Sequence, residues 1–297
     1  GLVIRGLNAE AGRGTAVRLY GTVDNAGRMQ LNLDGAGLPW NSLGDLPVKP
    51  DGKVALSGSI TGTVDHPDFN GLAGGEDFSY KGTDFKNFSG GIKYDGKNGS
   101  LNLKDMFIHP ARGPGGRIKL TGEISAGRLD LEGRIQGIDV ALLSSCLGNG
   151  ANDKIKGRIS GTLNVGGKPD HPSIKAVLRA EELLVAERAV KELCLDVKGD
   201  GKSYRLNNVS FKLLDGHLTG SGKIEAGRYA LSLKGRDLSA AAAHDTLKVL
   251  PSWSGKLELD GSLRGRVDDL AAISGNLQLK SAGDITTGEA SLGILEA

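Results

Sequence analysis

Three turns of identical sequence stand 100 positions apart, and this spacing constrains the chain more than any other feature. They are Ala26-Gly27-Arg28, Ala126-Gly127-Arg128 and Ala226-Gly227-Arg228. Before the middle turn, Ile118, Leu120 and Ile124 share one parity, with Lys119, Thr121 and Glu123 on the other. After it, Leu129, Leu131 and Ile135 alternate with Asp130, Glu132 and Arg134. Period-two alternation around a glycine turn predicts a hairpin with one apolar and one wet face. Flanking copies run from Leu19 to Leu31 and from Leu218 to Leu233, the last taking in Leu231.

A long period of this kind decides the fold reading before individual elements do. The rest of the unit recurs as well. The octapeptide Gly58–Asp65 answers Gly157–Asn164 and Gly261–Asp268, and Asp65-His66-Pro67 is echoed by Asp170-His171-Pro172. The pattern predicts one continuous array: 1–47 the tail of a repeat, 48–147 and 148–250 whole repeats, and 251–297 the start of another. Because both ends fall inside units, we expect a piece of a longer protein. Each unit should hold roughly six strands and one short helix, as stacked repeats need neighbours to bury their apolar faces.

The long strand after each helix shows the alternation best. Val54, Leu56, Ile60 and Val64 form one set, Ile155, Ile159, Leu163 and Val165 the second, and Leu257, Leu259 and Leu263 the third with Val267. Residues 66–117 and 171–217 are expected to add shorter strands, with Leu193, Leu195 and Val197 on one side of one of them and Val209, Phe211 and Leu213 on another. The short helix is best marked in Asp237–Leu250, where Ser239 suits the N-cap, alanines follow, and Pro251 lies beyond the end. Gly35–Leu43 and Gly137–Leu147 are its counterparts. Residues 176–194 pose a conflict, because local propensity favours a helix. Their partner by repeat, residues 71–92, contains Gly-Leu-Ala-Gly-Gly and Phe-Ser-Gly-Gly, which favours two strands turning near Glu187-Arg188.

Glycine is 47 of 297 residues and aromatics only 4%, so burial rests on Leu, Ile, Val and Ala. The 37 basic and 35 acidic residues are interspersed, and without a basic block nucleic acid is not an expected partner. Cys146 and Cys194 do not make a disulfide framework and read as buried small hydrophobes. The histidines at 66, 109, 171, 217 and 244 never fall at metal-ligand spacing with cysteine or carboxylate. His66 and His171 read as turn residues. Gly113-Pro-Gly-Gly116 lacks the Lys-Ser/Thr of a phosphate-binding loop, and Ser144-Ser145-Cys146 has no histidine nearby. Neither an enzyme, a cofactor nor a metal site is expected.

The order of these elements resembles the AsmA-like superfamily, and within it most nearly the TamB group. Leu120-Thr-Gly-Glu-Ile, Ala126-Gly-Arg, Ile159-Ser-Gly-Thr-Leu with Pro169, and Ile60-Thr-Gly-Thr-Val with Pro67 carry the resemblance. It spans nearly the whole chain but rests on order and period rather than on distinctive residues. It implies a mostly β fold, an elongated, curved and largely antiparallel sheet folded into a taco-like or U-shaped groove. It further implies a periplasmic protein anchored to the inner membrane through a segment absent from this sequence. Its ligand would be phospholipid, carried between inner and outer membranes. Its partner would be an outer-membrane barrel protein of the TamA/BamA type, with a role in outer-membrane protein assembly. On that reading the lining is the set Val54, Leu56, Ile60, Val64, Ile118, Leu120, Ile124, Leu129, Leu131, Ile155, Ile159, Leu163, Val165, Leu193, Leu195, Val197, Val209, Phe211, Leu231, Leu233, Leu257, Leu259 and Leu263. The alternative for each is ordinary sheet core. The alternative for the whole is an extracellular β-solenoid of the adhesin or passenger type, which predicts short coils of roughly 20 to 30 residues.

Overall fold

The chain is seen in a computed structural model that describes residues 1–10, 14–40, 51–80, 83–111, 115–125, 127–142, 155–185, 188–200, 202–247, 253–266, 274–283, 285–287 and 290–292. Nearly all of them are strand. In chain order these are β1 (Leu2–Glu10), β2 (Ala16–Val23), β3 (Met29–Pro39), β4 (Lys53–Gly62), β5 (Pro67–Tyr80), β6 (Thr83–Asp95), β7 (Ser100–Pro110), β8 (Arg117–Ser125) and β9 (Arg128–Asp139). They continue as β10 (Ile155–Lys168), β11 (His171–Val185), β12 (Arg188–Gly199), β13 (Ser203–Leu213), β14 (Gly216–Glu225) and β15 (Arg228–Ser239). The helix α1 (Ala240–Leu247) follows, then β16 (Trp253–Ser254), β17 (Lys256–Arg266), β18 (Ser274–Ser281), β19 (Ile285–Thr287) and β20 (Ala290–Leu292). The long strands pair antiparallel within each of two units, and β16, β19 and β20 form a separate three-stranded sheet.

The chain divides into two compact units, Gly1–Gly150 with Thr162–Pro172, and Ala151–Gly161 with Ser173–Ala297. Strand β10 contributes its C-terminal half to the first and its N-terminal half to the second. In the first unit β1 through β9 form an antiparallel meander, each strand paired with the next. The second runs the same way from β11 through β15, then β17 and β18. The coils of a parallel solenoid are not the pattern of these hairpins.

Among the described residues six strands fall between 48 and 147 and six between 148 and 250. The strands after each long one are not shorter, contrary to the expectation from sequence: β5 has 14 residues and β11 has 15, against 10 for β4. Glycines and aspartates inside them read as turns in sequence, but they are absorbed in the strands, some at bulges. Asp77 within β5 holds a φ of +48°. Residues 176–194 form β11 and β12 as the repeat predicted, overriding helical propensity. The apolar positions explain it: Ala176, Leu178 and Ala180 alternate with exposed Val177 and Arg179, and they face Val197, Leu195 and Leu193 across the strand pair.

The three recurrent turns share one backbone feature. Gly27, Gly127 and Gly227 have φ of +75°, +74° and +71°, a region that favours glycine. At the third, Ala226 also has positive φ, so Ala226-Gly227 makes the two-residue loop suited to a twisted hairpin. A second conformation recurs at the same spacing. Gly37, Gly137 and Asp237 have φ of +65°, +57° and +58°. The first and last lie in bulges, between Gly35/Leu38 of β3 and between Gly235/Leu238 of β15. The extra residue returns Leu38 and Leu238 to the apolar face, opposite Val54 and Leu257.

Immediately after β15 comes α1. The Ser239 hydroxyl accepts the Ala242 N–H at 3.2 Å, which is an N-cap contact. The helix seals one end of the second unit's apolar face, where Leu218, Leu238, Ala240, Ala243 and Leu257 are buried together. Residues 140–142 are also helical; the remainder of that segment, Cys146 and residues 41–50 lie outside the described residues. In the first unit the corresponding strand ends are closed by rings. Phe78 stacks on Phe85 at 4.9 Å, meets Phe88 edge-on at 5.2 Å, and Trp40 lies 5.3 Å from Phe88.

Candidate functional site: the aliphatic face

In an antiparallel pair, residues directly opposite each other point to the same side of the sheet. The register therefore assigns the predicted lining residues of the paired strands to a face. In the first unit Leu56 lies between Gly35 and Ala73, and Ile60 between Leu31 and Phe69. Ile118 lies between Ile108 and Ile135, Leu120 between Met106 and Gly133, and Ile124 between Leu101 and Leu129. Leu131 faces Gly122, and Val54 faces Leu38. Leu163 joins this face beside β9, its Cβ 3.4 Å from the position a Cβ on Gly133 would take. Val165 shares its parity and is half-buried.

The second unit repeats the arrangement. Leu195 lies between Leu178 and Val209, Val197 between Ala176 and Leu206, and Leu193 opposite Ala180. Leu231 lies between Gly222 and Leu263, Leu233 between Gly220 and Gly261, and Leu259 between Gly235 and Leu279. Phe211 faces Leu218, and Leu257 faces Leu238. A Cβ on Gly157 would sit 2.7 Å from Leu183 Cδ2, which places the odd-numbered residues of β10, Ile155 and Ile159 among them, on this face.

Val64 stands apart from the rows. Gly62 turns at φ +85° and ends β4, so strand alternation does not carry on to residue 64. Val64 is 62% exposed and its N–H donates to the Gly27 carbonyl at 3.1 Å. The register adds to the same rows residues beyond the predicted lining, including Leu31, Leu33, Ile92, Leu103, Leu178 and Leu206. Alternation around Ile174, Ala176, Leu178 and Ala180 was the signal that could have found the β11 members.

Burial along these rows is graded. At the closed strand ends Val54, Leu238 and Leu257 are each 1% exposed. Away from them Leu56, Ile60, Leu120, Leu131, Leu195, Leu231 and Leu263 are only half-buried. Among the described residues α1 packs on β15 and β16 and on no other strands to comparable extent. Leucines of both kinds rest on glycines across the strands: a Cβ on Gly222 would fall 2.7 Å from Cδ2 of half-buried Leu231, and one on Gly220 would fall 2.6 Å from Cδ2 of buried Leu233. Leucines lying over glycines make a low aliphatic surface.

The other face is polar. Arg18 opposes Asp34, and the Asp34 carboxylate accepts the Ser57 hydroxyl at 2.7 Å. A concavity of about 610 Å³ on this side of the first unit is floored by Ala16, Ala36, Ala55, Ser57, Gly74 and Ser89. Leu72, 64% exposed, lies at its rim. Carboxyls held low stand at hairpin turns and, at Asp105 of β7, within a strand, where the Lys119 ammonium at 2.7 Å is the cause. The Arg28 backbone N–H, then the Arg28 side chain, hold the Asp24 carboxyl below the usual range; Asn98 does so for Asp95, and the Ser203 and Lys202 N–H groups for Asp200. His66 and His171 sit exposed at the turns between strands. Among the described residues no three His, Cys, Asp or Glu side chains gather as metal ligands, and no helix is long and apolar enough to cross a membrane.

Comparison of the chain with protein-family models, with curated proteins and with solved structures finds no match in any of the three.

Proposed function

We propose that the aliphatic face of this chain binds phospholipid acyl chains and forms part of a conduit between two membranes, as its resemblance to the TamB group of the AsmA-like superfamily implies. One observation carries the reading. Uncharged aliphatic residues stand in register across each unit; Ile159, Val209 and Leu233 among them are buried, whereas Leu56, Ile60, Leu120, Leu131, Leu195, Leu231 and Leu263 are only half-buried. Contiguous apolar residues left partly open to solvent mark a binding surface more often than scattered ones do. The recurrence of the Gly27, Gly127 and Gly227 turns and of the positive φ at Gly37, Gly137 and Asp237 at intervals of 100 supports the repeat array. In this account the sheet is bent into a taco-like groove, the acyl chains lie against the leucines, and the headgroup stays in water.

The mechanism follows from the surface. Each CH₂ taken from water contributes about 0.8 kcal/mol, so binding is strong and indifferent to the headgroup. Leucines lying over glycines leave no deep pocket, so a chain can slide along the rows without a trap. The protein works in the periplasm, anchored to the inner membrane by a segment outside this sequence. It meets an outer-membrane barrel of the TamA/BamA type through regions also outside it, and assists outer-membrane protein assembly there. No reaction is catalysed and no cofactor is used.

The test is to purify the chain from a bacterial envelope and identify bound lipid by mass spectrometry. Phospholipid should co-purify, fall several-fold with Leu163→Asp, and stay unchanged with Thr162→Asp on the opposite face. A lipid-free wild-type chain, or equal loss with both variants, contradicts the reading.

A further inference from the structure

The polar face of the second unit carries a row of cations that sheet stability does not explain. Lys175 of β11 lies directly opposite Lys198 of β12, Lys198 opposite Arg205 of β13, and Arg205 opposite Lys223 of β14. Lys223 opposes Ala230 of β15, and Ala230 opposes Arg264 of β17. Five cations and one alanine therefore line up across six neighbouring strands, over about 24 Å at normal strand spacing. Like charges directly opposite each other destabilise a strand pair. Elsewhere in the unit opposed pairs of both kinds occur, opposite signs in Lys234 against Asp260 and Glu182 against Lys191, like signs in Lys191 against Lys212 and Arg228 against Arg266, but none of these extends across more than three strands.

Acidic residues neutralise only one member of the row. Glu225 pairs with Lys223 at 3.2 Å. Asp196, one row away, accepts from Asn207 at 3.4 Å. Lys175, Lys198, Arg205 and Arg264 make no ion pair among the described residues. The row also has room for a ligand. Ala230 interrupts it with a short side chain, and Ser221, Ser232 and Ser262 form the adjacent row. Together with Arg205, Lys223 and Arg264 they line a concavity of about 530 Å³. Guanidinium and ammonium groups around hydroxyl donors suit phosphoryl oxygens, which accept several charge-assisted hydrogen bonds at once.

We infer that this row is a binding site for a multivalent phosphoryl anion, held across Arg205, Lys223 and Arg264 with the serine hydroxyls as further donors. The ligand supplies the negative charge that the sheet lacks and relieves the repulsion between opposed cations. The site lies on the face opposite the aliphatic rows, so it stands or falls independently of acyl-chain binding. Its phosphates come either from a membrane-lipid headgroup or from a soluble polyphosphate, and the two sources are separable by experiment.

The probe is inorganic tripolyphosphate, titrated calorimetrically into the whole chain at low salt, with melting temperature read in parallel. Wild type should bind and melt higher with ligand, and added salt should weaken binding steeply. Each cation removed should lower affinity up to about fivefold, so Arg205→Ser with Arg264→Ser should lower it on the order of twentyfold. The same pair should raise the melting temperature of the unliganded protein, because opposed like charges are gone; a purely structural role predicts a fall. Lys234→Gln, off the row, should change neither. Co-sedimentation with phosphatidylglycerol vesicles, lost in the double variant and competed by tripolyphosphate, assigns a lipid headgroup; tripolyphosphate binding without vesicle binding assigns a soluble anion. No binding of tripolyphosphate by wild type, unchanged binding by the double variant, or tighter binding of polyglutamate than of tripolyphosphate overturns the inference.

Discussion

Leu238 Cδ1 lies 2.9 Å from the point where a Cβ on Gly235 would sit, and Leu38 Cδ1 lies at the same 2.9 Å from the corresponding point on Gly35. Each pair straddles a bulge, and each leucine faces the start of the next strand, Val54 or Leu257, which is 1% exposed. The contact shows how glycine serves this sheet: it gives up its own side-chain volume to a leucine folded back over it.

Gly235→Val is therefore expected to destabilise the second unit by about 1–3 kcal/mol, as overpacking does. Leu259 Cβ, 3.1 Å from the same point, closes the other escape route. Urea denaturation measures the effect. Gly166→Ala, where an added Cβ meets only the Leu129 carbonyl oxygen at 3.7 Å, should change stability far less.

Ser239→Ala should lower stability by about 1 kcal/mol, the usual effect of removing a helix N-cap. The Ala242 N–H loses its acceptor, and α1 is what covers Leu238 and Leu257. Ser239→Asp should retain most of the wild-type stability, and the two variants are best compared by thermal unfolding monitored in the far ultraviolet.

Acid should weaken the hairpins in a defined direction. Asp24 and Asp200 accept backbone N–H groups at 2.9 to 3.0 Å, and their folded pKa values lie below the ordinary value of 3.8. A depressed carboxyl contributes stability that is complete above its unfolded pKa and is lost as pH falls through the folded one. Unfolding free energy should thus be flat with respect to these groups near neutrality and decline below the ordinary carboxylate range. Asp24→Asn, which keeps an acceptor but loses the charge facing Arg28 Nε at 2.6 Å, should flatten that decline.

The two positions on β10 separate lining from core. Ile159 is 4% exposed, so Ile159→Asp should unfold the chain. Leu163 is half-buried, so Leu163→Asp should leave the circular dichroism spectrum intact while removing bound lipid. Unfolding by both variants would make Leu163 core.

Hairpins were legible in the sequence because period-two alternation and a glycine at positive φ are both written in single residues: Leu120, Ile124, Gly127 and Leu129 suffice for one. Strand identity in 176–194 was legible through its repeat partner, residues 71–92, whose glycines rule out the helix that local propensity favours. Bulges were not. Asp237 and Glu192 take φ of +58° and +52° without the glycine that would announce it. Each bulge shifts the register by one, so the cross-strand row from Lys175 to Arg264 is invisible until every pairing between them is known. Val64 marks the opposite failure, in which alternation ran past a strand end set by Gly62. Apolar lining was thus readable strand by strand, whereas the polar-face site exists only in the register.

Photo-crosslinking is the most direct test of the aliphatic face as a lipid path. A photoreactive residue at Leu120, half-buried between Met106 and Gly133, is compared with one at neighbouring Thr121 on the polar face, in protein incubated with phospholipid vesicles. The account predicts phospholipid adducts at 120 and none at 121. Equal labelling at both positions, or no lipid at 120, would contradict it.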